Sequence, residues 1–302
     1  MGNFGLDYEH LHALNPDVVA LSMPAYGLTG PYASSVGYGP TMEAASGLSW
    51  YCRYRDLDEP FRCGPAYPDP VAGLNAAFAL LLGLLARDWR PGGGAAIDLS
   101  QMESTLCSVG DIVVQSQSSS AVVTSLGDSH SYFAPWTSFV CADGRWLFVG
   151  VESDIQWAAL VEQACLSSEW KTLTRGERVI HSREIEAAVQ SWARGLGADE
   201  AAAALQGRSV PAAAVASGAD LIASEIRNPH GTFTIVDHPV VGPRLQPASP
   251  FRWENGASWQ QYLAAPTFGA DLPWVVTEIL RQPISKVADL LKGDVCFLEP
   301  PE

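Results

Sequence analysis

The stretch PDPVAGLNAAFALLLGLLARDWRPGGGAAIDLSQME, residues 68–103, decides the fold. One carboxylate, Asp69, stands between two prolines, and the apolar run after it has no further charge until Arg87. This run predicts a helix that follows Asp69 and extends to about Trp89, and the glycines of RPGGG end it. The residues AAIDLSQME then predict a short strand and a further helix to about Ser118.

The residues before this stretch predict half of a βαβ unit. Asp7 is placed to cap a short helix, YEHLHAL at 8–14, and NPDVVALSM at 15–23 predicts a turn and then a buried strand. The strand and helix expected before these elements are not in the sequence, so we expect the chain to begin inside an α/β fold. A loop rich in Gly, Pro and Ser follows, with a helix predicted from Pro40 to about Leu48.

A polar, serine-rich segment, QSQSSSAVVTSLGDSH at 115–130, is the best candidate for a domain boundary. Beyond it, the dipeptide Asp143-Gly144 predicts a β-hairpin, and three helices and the strand SVPAAAVAS complete a small α+β unit. Strand-like segments return after Arg227 and precede a final helix near Leu272 to Arg281. We therefore predict a discontinuous large domain, a linker and a small domain, at 1–118 plus 227–302, 119–128 and 129–226, respectively.

The composition indicates a globular protein and argues against several kinds of partner. The chain is 47% hydrophobic and 17% charged, and its net charge of −15 disfavours binding to nucleic acid. The six cysteines show no C-x-x-C spacing, so no metal site or disulfide framework is indicated and a reducing cytoplasm is favoured. No leader pattern is present, and the apolar run Val71–Ala86 falls short of a membrane span. We predict a cytoplasmic protein without nucleic-acid or membrane partners.

Asp69 has two interpretations. An Asp before an apolar run commonly caps the helix, because its side chain accepts hydrogen bonds from free backbone N–H groups. The same helix N-terminus favours an ionised carboxylate, which can act as a covalent nucleophile. GYGP at 37–40 is not a dinucleotide fingerprint, and no serine-hydrolase, zinc-protease or Walker A motif is present. Among the scattered histidines, His130 is the most site-like.

Six segments, taken in order, resemble the family III CoA-transferases of the CaiB/BaiF type. GLDYEH…GYGPTMEAASGLS resembles the family's "GLDYE…GYD…qA.SGL" stretch, and PDPVAGL…IDLSQMEST resembles its "D..aG…vdvsl.e" stretch. The segments that carry the resemblance lie at 5–49, 68–105, 142–162, 210–217, 226–233 and 266–276. The resemblance therefore extends over nearly the whole chain.

The resemblance implies an enzyme that transfers coenzyme A from an acyl-CoA thioester to a carboxylic acid. It places the catalytic carboxylate at Asp69, which passes through a mixed anhydride, an aspartyl-CoA thioester and a second anhydride. It also implies that CoA and acyl-CoA are substrates and that no cofactor is bound permanently. The expected CoA contacts are Gly37, Tyr38, Gly39, Asn3 and Phe4, the last two as a remnant of the family's "eNF.pG" motif.

Further implications concern architecture and alternative functions. The family has a Rossmann-like open parallel sheet and interlocked dimers, so a homodimer or a heteromer is expected. Its N-terminal half-Rossmann segment is missing here, and Gly39 stands where an acidic residue is common. The racemase branch has a histidine where this chain has Tyr38, and tyrosine is a poor base, so transferase is favoured over racemase. A non-catalytic subunit, or half of an enzyme completed by a partner chain, is the remaining alternative.

Overall fold

The computed structural model describes residues 1–54, 57, 59–64, 66–89, 93–118, 127–227, 231–251, 254, 263–293 and 295–296. The chain divides into two compact units, Met1–Val215 and Ala216–Glu302. Most of the predicted linker and the first three residues of RPGGG lie outside the described residues. The predicted return of residues 227–302 to the large domain stays a prediction.

The first part of the Met1–Val215 unit is built on two parallel strands. Strand β1 (Val19–Ser22) pairs with β2 (Ala95–Asp98) in a register that sets Val19 opposite Ala95 and Ser22 opposite Asp98. Parallel strands need a crossover connection, and the long apolar helix α4 lies within it. The elements of this part are α1 Tyr8–Leu14, β1 Val19–Ser22, α2 Gly39–Ala45, α3 Leu48–Tyr51, α4 Pro68–Trp89, β2 Ala95–Asp98, α5 Gln101–Leu106 and α6 Gly110–Ser118.

Helix α4 packs closely on this small sheet through Gly83. A Cβ atom at Gly83 would lie 2.8 Å from Cγ1 of Val19 and 3.3 Å from Cδ1 of Ile97. The side chains of both strands therefore reach the backbone of the helix. The sequence prediction of a mixed α/β fold is confirmed, although the parallel sheet contains two described strands only.

The second part of this unit is a small α+β arrangement with its own core. Strands β3, β4 and β5 form an antiparallel sheet in that order, and the predicted hairpin turns at Gly144, whose φ is +77°. Apolar side chains of the strands and helices fill the core, among them Leu147, Val149 and Trp157. The elements are β3 Trp136–Val140, β4 Trp146–Gly150, α7 Asp154–Gln163, α8 Arg175–Ile180, α9 Ser182–Ala193, α10 Ala198–Gln206 and β5 Ala212–Ala214.

The Ala216–Glu302 unit contains a β-hairpin between helices. Strands β6 and β7 are antiparallel, with Phe233 opposite Pro247, which confirms the strand prediction for this region. The helix predicted at 272–281 is a short α turn continued by a π-helical turn at Val275–Ile279, and the helix after it was missed. The elements are α11 Gly218–Arg227, β6 Phe233–His238, β7 Gly242–Pro247, α12 Leu272–Trp274 and α13 Ser285–Lys292.

Three further sequence predictions need correction. The helix predicted from Pro40 to Leu48 is interrupted after Ala45, because Gly47 takes a left-handed conformation with φ +83°. Strand β1 is half-buried rather than buried. Helix α4 has 22 residues and is long and apolar enough to cross a membrane by length and composition, contrary to the prediction. Core helices of soluble proteins satisfy the same criterion, although most of α4 is exposed in this chain.

Candidate active site

A cavity of about 380 Å³ lies where both parallel strands end. Met23 directly follows β1, and Gln101 is the third residue after β2. Helices α2, α4 and α5 all begin at this cavity, which is the usual place for a ligand in an open α/β sheet. The lining residues are Met23, Gly37, Tyr38, Gly39, Met42, Asp69 and Gln101.

Asp69 lies inside the first turn of α4, since the helix begins one residue earlier at Pro68. The backbone N–H of Asp69 donates to the carbonyl of Ala66 at 3.1 Å, and its side chain is exposed. Among the described residues, no group donates a hydrogen bond to its carboxylate. The interpretation of Asp69 as a helix cap is therefore wrong: the carboxylate lines the cavity and satisfies no backbone donor of α4.

Three other aspartates in this chain have structural roles, in which the carboxylate accepts hydrogen bonds from backbone N–H groups. Asp7 caps α1 as predicted, with Oδ1 accepting from the backbone N–H of His10 at 3.0 Å. Both oxygens of Asp98 accept from the N–H of Leu28, at 3.0 and 2.9 Å. Asp143 accepts from the backbone of Ala198 and Arg145, and the bond from Ala198 is the main cause that lowers its pKa. Asp69 lacks such bonds within the described chain, which leaves its oxygens available for chemistry.

The predicted Gly37-Tyr38-Gly39 segment forms the opposite wall of the cavity. A Cβ atom at Gly39 would lie 3.2 Å from Oδ1 of Asp69, and one at Gly37 would lie only 2.6 Å from Cβ of Ala25. Tyr38 sits just before α2, where its backbone N–H donates to Oγ1 of Thr41 at 2.8 Å, and its side chain is exposed. The structure thus brings all three residues to Asp69. Their contact with CoA stays a prediction.

Gln101 was missed by the sequence analysis. It is the first residue of α5, and its Nε2 donates to the carbonyl of Met23 at 2.9 Å, which joins the ends of the two strands. This bond fixes the side-chain amide at the cavity wall. The available signal was its position: a polar residue just after a strand in a parallel sheet belongs to the edge where ligands bind.

The remaining predicted residues lie elsewhere. Asn3 and Phe4 form part of an exposed 3-10 turn at Gly2–Phe4 and do not line the cavity that contains Asp69. The ring of His130 packs against Phe133 and Trp136, with centroid distances of 4.7 and 5.3 Å. In the part of the chain that is described, no group of three or more His, Cys, Asp or Glu side chains is arranged to hold a metal ion.

The fold is that of an α/β protein of the CaiB/BaiF type. The crystal structure of a CAIB/BAIF family protein from Brucella suis is similar, with a TM-score of 0.70 and 26% identity, over 84% of this chain and 66% of that one. The sequence pattern of CoA-transferase family III matches residues 1–272. The chain belongs to CoA-transferase family III.

Curated relatives are named CoA-transferases. The succinyl-CoA–D-citramalate CoA-transferase of Chloroflexus aurantiacus is 27% identical over 72% of this chain and 55% of its own length. The mouse succinyl-CoA:glutarate CoA-transferase is 25% identical over 98% of this chain and 67% of its own length. For a Mycobacterium tuberculosis relative, 28% identical over 95% of this chain, the share of its own length is 36%. The chain thus spans between about a third and two thirds of these relatives.

Proposed function

We propose that this chain carries the nucleophile of a CoA-transferase, and that CoA passes from an acyl-CoA thioester to a carboxylic acid through a covalent intermediate on Asp69. The observation that carries the proposal is the exposed carboxylate of Asp69, which does not cap α4 and lines the cavity at the ends of β1 and β2. Membership of CoA-transferase family III supplies the reaction type.

The proposed reaction passes through two anhydrides and one thioester on the carboxyl group of Asp69. An oxygen of Asp69 attacks the thioester carbonyl, the C–S bond breaks, and CoA departs as the thiolate. A mixed anhydride then remains on Asp69. The thiolate then attacks the Asp69 carbonyl and expels the first acid, which forms the aspartyl-CoA thioester. The acceptor carboxylate attacks this thioester and releases the thiolate again. Attack of the thiolate on the acceptor's acyl carbon completes the transfer and restores Asp69.

The surroundings of Asp69 suit this sequence of steps. The N-terminus of the 22-residue helix α4 stabilises the negative charge that develops when the acylated carboxyl group of Asp69 is attacked. Because residue 39 is a glycine, the cavity wall nearest to Asp69 has no side chain at this position, and a thioester has room to approach. We propose that Gly37, Tyr38 and Gly39 contact the CoA chain and that the Gln101 amide, fixed by Met23, hydrogen-bonds a substrate carbonyl or carboxylate.

The names of the relatives suggest a substrate class. Succinyl-CoA appears as the donor in several of them, and the acceptors named are citramalate, glutarate and L-malate. All of these are dicarboxylic acids. We therefore propose that this chain takes a dicarboxylic acid as acceptor and the CoA thioester of another dicarboxylic acid as donor.

The assembly is also a proposal. Helix α4 leaves apolar side chains exposed, including Leu74, Phe78, Leu81 and Leu85, and such a surface is typical of an interface. One relative is named as the alpha subunit of a succinyl-CoA–L-malate CoA-transferase. We propose a homodimer or a heteromer, in which a second chain packs against the exposed apolar side chains of α4. Light scattering after size exclusion would show a stable, well-folded monomer if this proposal is wrong.

A substrate panel tests the function. The chain is incubated with succinyl-CoA and glutarate, citramalate, malate, oxalate or acetate, and the acyl-CoA species are separated by liquid chromatography. We expect a new acyl-CoA with a dicarboxylic acid, and its formation should be lost in Asp69→Asn. Acyl-CoA hydrolysis without transfer, or exchange of the α-proton with deuterated water in place of transfer, would contradict the proposal and favour a hydrolase or a racemase.

A further inference from the structure

A pair of neighbouring cysteines lies outside the cavity of Asp69. The Sγ atoms of Cys52 and Cys63 are 2.9 Å apart, and both residues are free thiols. A covalent S–S bond measures about 2.05 Å, so the two sulfurs lie within an ångström of bonding distance. Cys63 is exposed and Cys52 is half-buried, so an oxidant in solution reaches Cys63 first.

The backbone holds the two cysteines together independently of their side chains. Cys52 directly follows α3, and its carbonyl accepts from the backbone N–H of Phe61 at 2.9 Å. The N–H of Cys63 donates to Oε2 of Glu43 at 3.1 Å. Because Cys52 is already bonded to Phe61 and Cys63 to Glu43, a disulfide would require little movement of either cysteine.

Glu43 makes the surroundings of the pair unusual. It lies on α2 and is 0% exposed, and its Oε1 has no hydrogen-bond partner among the described residues. Burial, followed by the hydrogen bond with Cys63 and the charges of Cys63 and Glu43, raises the pKa of Cys52 to about 12. Cys52 therefore remains a protonated thiol at neutral pH, whereas Cys63 has access to solvent. Their exposure therefore places Cys63 as the attacking thiol and the half-buried Cys52 as the resolving one.

We propose that Cys52 and Cys63 form a reversible disulfide when the protein meets a peroxide. Sγ of Cys63 attacks a peroxide oxygen, the O–O bond breaks, and Cys63 becomes a sulfenic acid as its thiol proton leaves with the other oxygen in water or an alcohol. The Cys52 sulfur then attacks Sγ of Cys63, the S–O bond breaks, and water leaves with the Cys52 proton. The two thiols lose two electrons and two protons in total, and the peroxide is reduced. A dithiol reductant reverses the reaction by exchange.

Two structural connections lead from the cysteine pair to the candidate active site. Cys63 lies six residues before Asp69 in the chain, and Glu43 lies on the same helix as Gly39, which borders the Asp69 carboxylate. The inference about oxidation does not depend on the proposed transfer activity, since it rests on the cysteines and Glu43 alone.

Differential alkylation and mass spectrometry test the pair. The full chain is treated with hydrogen peroxide, free thiols are blocked with iodoacetamide, and the peptides are analysed before and after reduction with dithiothreitol. We expect a linked Cys52–Cys63 peptide that reduction removes. In Cys52→Ser, Cys63 should accumulate a sulfenic acid that dimedone traps, and in Cys63→Ser, Cys52 should stay reduced.

Cys165 is the control, because it is exposed and lies in the α+β part of the same unit. The inference is overturned if Cys52 and Cys63 stay available for alkylation at a peroxide concentration that oxidises Cys165. It is also overturned if either cysteine forms its disulfide with a different partner. Circular dichroism of both serine variants, compared with the wild-type chain, establishes that each result comes from a folded protein.

Discussion

Gly39 and Asp69 approach each other so closely that a Cβ atom on residue 39 would lie 3.2 Å from Oδ1 of the aspartate. The same atom would lie 3.1 Å from the Cα of Ala66, which belongs to the segment leading into α4. Glycine keeps the wall facing Asp69 open, so we expect the size of residue 39 to control access to the carboxylate.

The first prediction follows from this contact. We expect Gly39→Ala to lower the rate of CoA transfer by about ten- to a hundredfold, because a small displacement of a reacting group costs that much. The φ of Gly39 is not in the left-handed region, so alanine can take the same backbone conformation. Gly176→Ala is the matched control, since a Cβ there meets no atom within 4 Å. A wild-type rate in Gly39→Ala would show that residue 39 does not border the reacting carboxylate.

The second prediction concerns how α4 rests on the sheet. Gly73 and Gly83 lie in the same helix, but a Cβ at Gly73 meets nothing within 4 Å and one at Gly83 lies 2.8 Å from Val19. We expect Gly73→Ala to raise the free energy of unfolding by about 0.5–1 kcal/mol through helix propensity. Gly83→Ala should lower it by about 1–3 kcal/mol through overpacking.

Chemical denaturation of both variants measures this difference. Adding Val19→Ala to Gly83→Ala should recover part of the loss, since the smaller side chain relieves the contact. Equal stabilisation by both alanines would mean that α4 does not lie against β1.

The third prediction concerns pH. The pKa of Asp143 lies below its usual value, chiefly because the backbone N–H of Ala198 donates to its carboxylate. A carboxyl group whose pKa is depressed on folding stabilises the fold above its unfolded pKa of about 3.9, and this contribution disappears as the pH falls towards the folded pKa. Thermal stability should therefore fall below about pH 4 by less in Asp143→Asn than in the wild-type chain. Parallel melting curves from pH 7 to pH 3 measure the difference, and identical pH profiles would contradict the prediction.

Local patterns predicted much of the fold. The end of α4 at Trp89, the cap of α1 by Asp7 and the turn at Gly144 depend on residues adjacent in sequence, and all three are confirmed. The Gly37–Gly39 segment was associated with Asp69 through the resemblance, and the structure brings them to one cavity.

The missed features depend on contacts between residues that are distant in sequence. Gln101 reaches the cavity only because β1 and β2 pair in parallel, and Cys52 meets Cys63 only because a loop closes between them. The sequence left two interpretations of Asp69 open for a related reason. An aspartate between two prolines fits a cap or a first-turn position equally well. The start of α4 at Pro68 and the hydrogen bond from the Asp69 N–H to the Ala66 carbonyl place Asp69 in the first turn.

The most direct test of the central claim is a covalent trap at Asp69. The chain is incubated with the acyl-CoA that the substrate panel identifies, treated with hydroxylamine, digested and analysed by mass spectrometry. Hydroxylamine attacks an activated aspartyl group, so a hydroxamate should form on Asp69 only when acyl-CoA is present. Asp69→Asn is the matched variant, because its side chain has nearly the same shape and no hydrogen bond within the described chain depends on the carboxylate.

We expect Asp69→Asn to unfold at the same temperature as the wild-type chain, to give no hydroxamate and to lose transfer by several powers of ten. A hydroxamate on another residue, or an Asp69→Asn variant with full transfer activity, would contradict the assignment of Asp69 as the nucleophile.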